Sequence, residues 1–177
     1  AKLGELEAEA SAHGDAVIGA EQIIRRIPPQ QKANTDLAAQ LREAKQAIQQ
    51  AAKAGFAITL GGKRYTERKA PTLDALSAAL KAVPKHTYQE IGSLYGVKLS
   101  AQAAWGQNRV AVRMVAPNGV QLADREFDLK GQGGARGILQ AIEYQLAGKT
   151  LDSRIDDLKK TNQELQRQYD SAVRERD

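Results

Sequence analysis

The stretch Phe56-Ala57-Ile58-Thr59-Leu60-Gly61-Gly62-Lys63-Arg64-Tyr65-Thr66 decides the fold class. Residues 56–60 and 63–66 are rich in β-branched and aromatic side chains, which favour strands. The pair Gly61-Gly62 between them suits a two-residue primed turn, because such turns need a positive φ that glycine adopts at no steric cost. The segment therefore predicts a β-hairpin.

More β-structure is predicted on the C-terminal side of this hairpin. Pro71-Thr72 opens a short helix with an apolar face, and Pro84 closes it. Four further runs read as strands: 88–91, 94–101, 109–115 and 120–129. Pro117-Asn118-Gly119 suits the turn between the last two. Residues 55–135 are therefore predicted to form a basic antiparallel β module with one helix.

Residues 1–54 show the 3-4 spacing of apolar residues that is typical of coiled coils. The first tract consists of Leu3, Leu6, Ala10, His13, Val17, Ala20, Ile24 and Ile27, and the second of Leu37, Leu41, Ala44, Ile48 and Ala51. Proline lacks a backbone donor and clashes with the preceding turn, so Pro28-Pro29 is predicted to end the first helix. Asn34 or Thr35 can cap the next helix, which gives a helical hairpin.

Residues 136–177 are predicted to form one long C-terminal coiled-coil helix. Its seam consists of Leu151, Ile155, Leu158, Asn162, Leu165, Tyr169 and Ala172. Asn162, between Leu158 and Leu165, is a polar residue that can fix the register of such a seam. This helix would extend beyond the second predicted helix, which contains Leu37 to Ala51. The predicted fold is α+β: a small antiparallel sheet with one short helix, inserted in a three-helix antiparallel coiled-coil stalk.

The composition argues against several classes of protein. The chain has no cysteine and only two histidines, His13 and His86, which lie in different predicted elements, so we expect neither a metal site nor a cofactor. Residues 131–137 are glycine-rich but lack the Lys and Ser/Thr of a nucleotide-binding loop. No catalytic constellation is present, and we expect a protein that is not an enzyme.

No apolar run approaches the roughly 18 residues that cross a bilayer. This predicts a soluble, cytoplasmic protein that does not enter a membrane, and the absence of cysteine fits a reducing compartment. Ala1 already lies within the helical pattern. We therefore expect the chain to be part of a larger parent protein.

The positive charge is concentrated in the β module. Residues 55–135 contain eleven Lys/Arg and six Asp/Glu, whereas the two flanking segments are balanced. Such a surface can contact phosphates, DNA being the expected nucleic acid, but a solvated surface and an acidic protein ligand stay open as alternatives. The candidate nucleic-acid-binding residues are Lys63, Arg64, Tyr65, Arg68, Lys69, Trp105, Arg109 and Arg113.

Four aromatic residues of the module, Tyr65, Tyr88, Tyr95 and Trp105, can either stack on unpaired bases or form the core. Trp105 lies between small and polar residues in a loop-like stretch, where a core role is hardest to assign. It is the preferred contact residue among the four.

Three segments carry a resemblance to a known family. They are Glu5-Leu6-Glu7 with Ala12-His13 and Ala16-Val17, the hairpin motif of residues 56–69, and Gly92-x-x-x-Gly96-Val-x-Leu99. Together they resemble the C-terminal region of large phage- and plasmid-encoded antirestriction (DarB-like) proteins, which join an adenine DNA methylase to a SWI/SNF-type helicase. The resemblance places the catalytic motifs outside this chain and implies a motif role for Gly62, Tyr65, Arg68 and Lys69.

These observations lead to one functional hypothesis and one alternative. The first is a non-catalytic accessory or docking domain of a DNA-processing or antirestriction protein, which positions DNA, a protein partner or the rest of a parent chain. The alternative is a structural element without nucleic-acid binding, which forms a homodimer through residues 151–177.

Overall fold

The structure is a computed structural model that describes residues 2–131 and 133–177; the side chains of residues 2–13 and Asp15 lie outside the description. It is an α+β structure, as predicted. The helices are α1 (Lys2–Ala52), α2 (Ala70–Lys81), α3 (Gly134–Leu146) and α4 (Gly148–Arg176). The strands are β1 (Ile58–Leu60), β2 (Lys63–Tyr65), β3 (Gln89–Leu94), β4 (Val97–Ala103), β5 (Arg109–Val115) and β6 (Gln121–Asp128).

All six strands form one antiparallel sheet in the order β2-β1-β3-β4-β5-β6. The predicted first hairpin is confirmed, since Leu60 pairs with Lys63 across Gly61 and Gly62, whose φ angles are 58° and 82°. One predicted strand is wrong in its bounds. Residues 94–101 include a turn at Tyr95 and Gly96, which have φ angles of 53° and 79° and separate β3 from β4.

One face of the sheet forms the core. Val97, Leu99 and Ala101 of β4 are buried, whereas the alternating Lys98 is exposed, as the two-residue period of a strand requires. Helix α2 contacts β1 and β4, and α3 contacts α2 and β6, so both helices lie on this apolar face. Their contribution to the core is the buried set Leu76, Leu80, Ile138, Leu139 and Ile142.

The predicted continuous helix over residues 136–177 is wrong. Ala147 has an extended conformation, with φ −66° and ψ 144°, and separates α3 from α4. Because α3 packs on the sheet, the β module has two helices rather than one, and its predicted end at residue 135 falls too early. The chain consists of two compact units. One is Gln40–Ser153, and the other combines Ala1–Ala39 with Arg154–Asp177.

The predicted helical hairpin over residues 1–54 is also wrong, because α1 continues through Pro28 and Pro29. Both prolines are exposed, so water can hydrate the carbonyl groups that lose their partners. Buried or half-buried residues follow one 3-4 seam on both sides: Ile24, Ile27, Gln31, Asn34, Ala38, Leu41, Lys45 and Ile48. Packing along this seam overrides the local preference of proline. The three predicted stalk helices are therefore two.

In the unit of Ala1–Ala39 and Arg154–Asp177, α1 and α4 are joined through Asn162. Its side-chain amide donates to the Gln31 carbonyl at 3.1 Å and to Thr35 Oγ1 at 3.2 Å, and its Oδ1 accepts from Asn34 Nδ2 at 3.0 Å. Asn34 and Thr35 thus lie inside a helix and cap none. The first part of the predicted seam, Leu3, Leu6, Ala10 and His13, lies outside the described side chains.

The helix lengths also contradict the prediction that the C-terminal helix extends beyond the helix before it. Helix α1 has 51 residues and α4 has 29, so the longer helix is the N-terminal one and not the C-terminal one. Among the described residues, no helix combines the length and apolar character needed to cross a membrane.

Candidate functional site

The second face of the sheet, opposite α2 and α3, is polar. Cross-strand register places Arg64, Thr59, Ser93 and Lys98 in one row across β2, β1, β3 and β4. A second row consists of Ser100, Arg113 and Asp124, and a third of Gln102, Ala111 and Glu126. We call these ten residues the polar face. Ala111 alone among the ten is buried; four of the others are exposed and five are half-buried.

Tyr88, just before β3, is held against the polar face by Arg113 and Asp124. The Arg113 guanidinium carbon lies 3.7 Å from the centroid of the Tyr88 ring, within cation–π range. The Tyr88 hydroxyl lies 2.8 Å from both carboxylate oxygens of Asp124, to which it donates. Arg113 Nη2 donates to Asp124 Oδ2 at 3.3 Å, so each of the three side chains contacts the other two.

This environment raises the pKa of the Tyr88 phenol above its ordinary value. Burial is the largest cause, followed by the hydrogen bond to Asp124 and its negative charge, while the Arg113 cation opposes them. The phenol therefore stays protonated and continues to donate to Asp124 at neutral pH. The carboxylate is paired on both sides, by an arginine and by a phenol.

Arg109 has a similar partner. Its Nη2 lies 3.3 Å from Glu126 Oε2 on the neighbouring strand. The charges of Arg109 and Arg113 are thus largely offset by carboxylates from β6. The two arginines act first as cross-strand links of the sheet, and they are less available to phosphates than the sequence alone indicates.

A cleft of about 690 Å³ opens on this part of the polar face. It is lined by Lys85, His86, Tyr88, Gln102, Ala103, Ala104, Trp105, Gly106, Ala111, Asp124 and Glu126. Residues before β3 form one wall, since the Ala103 amide donates to the Pro84 carbonyl at 2.8 Å. The small side chains of Ala103, Ala104 and Ala111 leave space in the cleft, and polar side chains line the rest of it.

Trp105 lies in the loop between β4 and β5, beside this cleft. Its side chain is 94% exposed, the highest value among the large apolar residues that the structure describes. The Ala104 amide donates to the Arg109 carbonyl at 3.0 Å, which closes the loop that carries Trp105. Gly106 has a φ of 99°, a conformation that other residues rarely adopt, and it allows the tight turn.

The candidates near β2 form a separate group. Arg64, Tyr65 and Lys69 line a shallow pocket of about 190 Å³, and Lys63 Nζ lies 5.3 Å from the Tyr65 ring centroid. Lys69 Nζ is 3.6 Å from the Glu67 carboxylate. The structure describes no ion pair for Lys63 or Arg64.

Arg68 has a structural role. Its Nη2 lies 2.6 Å from Glu143 Oε1 on α3, and its Nε lies 3.1 Å from Oε2. The guanidinium also stacks 4.3 Å from the Phe56 ring centroid. The hydrogen bond to Glu143 raises the pKa of Arg68, and burial, with the Glu143 charge next, raises that of Tyr95. Arg68 therefore links α3 to the hairpin, and its guanidinium is already paired with Glu143.

The structure thus separates the predicted site residues into two groups. Lys63, Arg64, Tyr65, Arg68 and Lys69 belong to one edge of the sheet, and Trp105, Arg109 and Arg113 to the region of β5. Four strand spacings between β2 and β5 amount to about 19 Å. Sequence reasoning did not place Lys85 and Lys98 in the candidate site, although Lys98 alternates with the apolar Val97 and Leu99. That alternation was a usable signal for an open face.

The predicted register residues of α4 have partners within the chain. Leu158, Asn162 and Leu165 are half-buried, and both amide hydrogens of Asn162 are used by α1. No group of three His, Cys, Asp or Glu side chains in the described part of the chain is arranged to hold a metal ion. A scan against protein-family models and searches of curated proteins and of solved structures found no match to the chain.

Proposed function

We propose that this chain is a non-catalytic nucleic-acid-binding domain that contacts its ligand through the polar face. The supporting observation is that Lys85 and Lys98 have no ion pair in the described structure and lie on the side of the sheet that presents Trp105 to solvent. Cations attract phosphates, and an exposed aromatic ring adds a contact for bases.

The charge distribution supports the same function. The segment 55–135 has an excess of five positive charges, and Arg68, Arg109 and Arg113 are paired with carboxylates. The cations without a described ion pair are therefore mainly lysines, together with Arg64 and Arg125. Binding through such contacts is expected to be moderate in affinity and strongly salt-dependent.

The resemblance described above supplies a cellular setting for the proposal. In this setting the chain is an accessory domain of a cytoplasmic DNA-processing or antirestriction protein, and the catalytic steps belong to other parts of a parent chain. DNA is then the natural ligand.

The test is fluorescence anisotropy of a labelled single-stranded DNA across a salt series. Each phosphate contact steepens the log–log salt dependence by about 0.7 on single strands. Lys98→Gln and Lys85→Gln should each weaken binding and reduce the slope by about that amount. The matched control is Lys159→Gln, which removes an exposed lysine of α4.

Two results would contradict the proposal. One is the absence of binding even at low salt. The other is binding whose slope is unchanged by Lys98→Gln and Lys85→Gln, because the ligand would then lie on another surface.

A further inference from the structure

We infer that the cleft beside Trp105 accepts an unpaired nucleobase, so that the polar face binds single-stranded in preference to double-stranded nucleic acid. This inference rests on the proposed function and specifies the form of its ligand. It is carried by the exposed indole, by the composition of the cleft and by the placement of the charges around it.

The indole is presented to solvent by its loop. A large aromatic side chain with 94% exposure buries almost none of its apolar surface within the chain. The hydrogen bond between Ala104 and Arg109 and the positive φ of Gly106 define the loop that carries it. A free ring face beside a cleft can stack on a base, and such stacking tolerates every base type.

The cleft offers space for a flat group. Ala103, Ala104 and Ala111 are among its lining residues, and their small side chains allow a ring to approach the sheet closely. A volume of about 690 Å³ lies within the range of small-molecule sites and suits a nucleotide with its sugar. Gln102 supplies both an amide donor and a carbonyl acceptor for the edge of a base.

The charges also suit a nucleotide. Asp124 and Glu126 line the cleft, but Arg113 and Arg109 offset their charges, which lowers their repulsion of a phosphate. Lys85 lines the cleft, and Lys98 lies on β4 four residues from Gln102, about 13 Å along the strand. An extended strand with one base beside Trp105 can therefore bring phosphates to both lysines.

Duplex DNA lacks the free base that this arrangement requires. In a duplex each base is stacked on its neighbours, and extrusion costs several kcal/mol in general. The polar face can still attract the duplex through its lysines. We therefore expect weaker binding of duplex and no stacking on Trp105.

Trp105 is the single tryptophan of the chain, so its fluorescence reports on this cleft directly. The probes are a thymidine homopolymer, a duplex with the same number of phosphates, and an abasic strand of the same length. The homopolymer should quench the fluorescence, and the duplex and abasic strand should leave it nearly unchanged. Anisotropy should show a roughly tenfold preference for the homopolymer over the duplex.

Variants separate stacking from charge. Trp105→Ala should weaken binding of the homopolymer by roughly five- to 100-fold and change duplex binding little, whereas Trp105→Phe should retain most of the preference. The matched control is Tyr144→Ala, because Tyr144 is also an exposed aromatic residue but lies on α3. Circular dichroism should show an unchanged fold for Trp105→Ala, given the exposure of the side chain.

The outcomes distinguish the two proposals. Equal affinity for single strands and duplex, with no quenching and no effect of Trp105→Ala, would overturn the inference and leave nucleic-acid binding in place. Failure of both ligands to bind at low salt would overturn the proposed function and this inference with it.

Discussion

Arg113 lies over the ring of Tyr88, with 3.7 Å between the guanidinium carbon and the ring centroid, and Asp124 contacts both side chains. Tyr88 precedes β3, Arg113 belongs to β5 and Asp124 to β6. The three residues therefore tie a connecting segment to two strands that are distant from it in sequence. One wall of the Trp105 cleft depends on this contact.

Tyr88→Phe tests the contribution of that hydroxyl. The variant keeps the ring under Arg113 but removes the donor to Asp124, and it should lower the free energy of unfolding by about 1 kcal/mol. Chemical denaturation measures the change. Tyr144→Phe is the control, because Tyr144 is exposed and the structure describes no hydrogen bond of its hydroxyl, and it should change stability little. Equal stability of both variants would mean that the bond to Asp124 contributes nothing.

Alkaline pH should destabilise the fold through Tyr88 and Tyr95. Their pKa values are raised in the folded chain, chiefly by burial, so folding favours the protonated phenols. The resulting stabilisation of the folded chain is complete below the ordinary tyrosine pKa of about 10, and it is lost as the pH rises through the raised pKa values. A tyrosinate absorbance titration should show two late-ionising phenols, one of which disappears in Tyr88→Phe and one in Tyr95→Phe. Simultaneous ionisation of all tyrosines would contradict this.

Pro28→Ala tests the continuity of α1. In an uninterrupted helix the substitution restores an amide that can donate to the Ile24 carbonyl, and it should raise stability by up to about 3 kcal/mol. Pro71→Ala is the matched control, because proline in the first turn of α2 interrupts no helical hydrogen bond. Thermal denaturation measures both variants. Lower stability of Pro28→Ala would show that the chain turns at this position.

Asn162→Ala tests the link between α4 and α1. The variant leaves the Gln31 carbonyl and the Asn34 amide without this partner and should lower the free energy of unfolding by about 1–2 kcal/mol. Gln163→Ala, at the exposed neighbouring position, should be nearly neutral. Light scattering should give the same mass for both variants and the unmodified chain. A change of mass only in Asn162→Ala would instead assign Asn162 to an interface between copies.

Most strands and two of the turns of the β module were predictable because their signals are local, whereas the turn at Tyr95 and Gly96 was missed. Gly61-Gly62 and Pro117-Asn118-Gly119 mark hairpins, and the alternation around Lys98 marks a strand with one open face. The outcome at Pro28 depends instead on packing, since Ile27 and Ala38, on either side of the prolines, are both buried along the seam of α1. A rule about proline alone cannot weigh that packing against the lost hydrogen bonds.

The break at Ala147 did leave a sequence signal. Leu146 and Leu151 are five residues apart, a departure from 3-4 spacing that separates the core of α3 from that of α4. The candidate site, in contrast, was predictable only in part. Trp105 was selected from its sequence surroundings, but the pairing of Arg113 with Asp124 depends on the register of β5 and β6, which no local pattern contains.

Amide chemical-shift mapping of the isotope-labelled chain, during titration with a thymidine homopolymer, tests the proposed binding surface most directly. Binding at the polar face should concentrate the shifts at Lys85, Lys98, Gln102 and the backbone and indole groups of Trp105 and leave α4 unaffected. Shifts confined to α4, or none at ligand concentrations that saturate anisotropy, would contradict binding at the polar face.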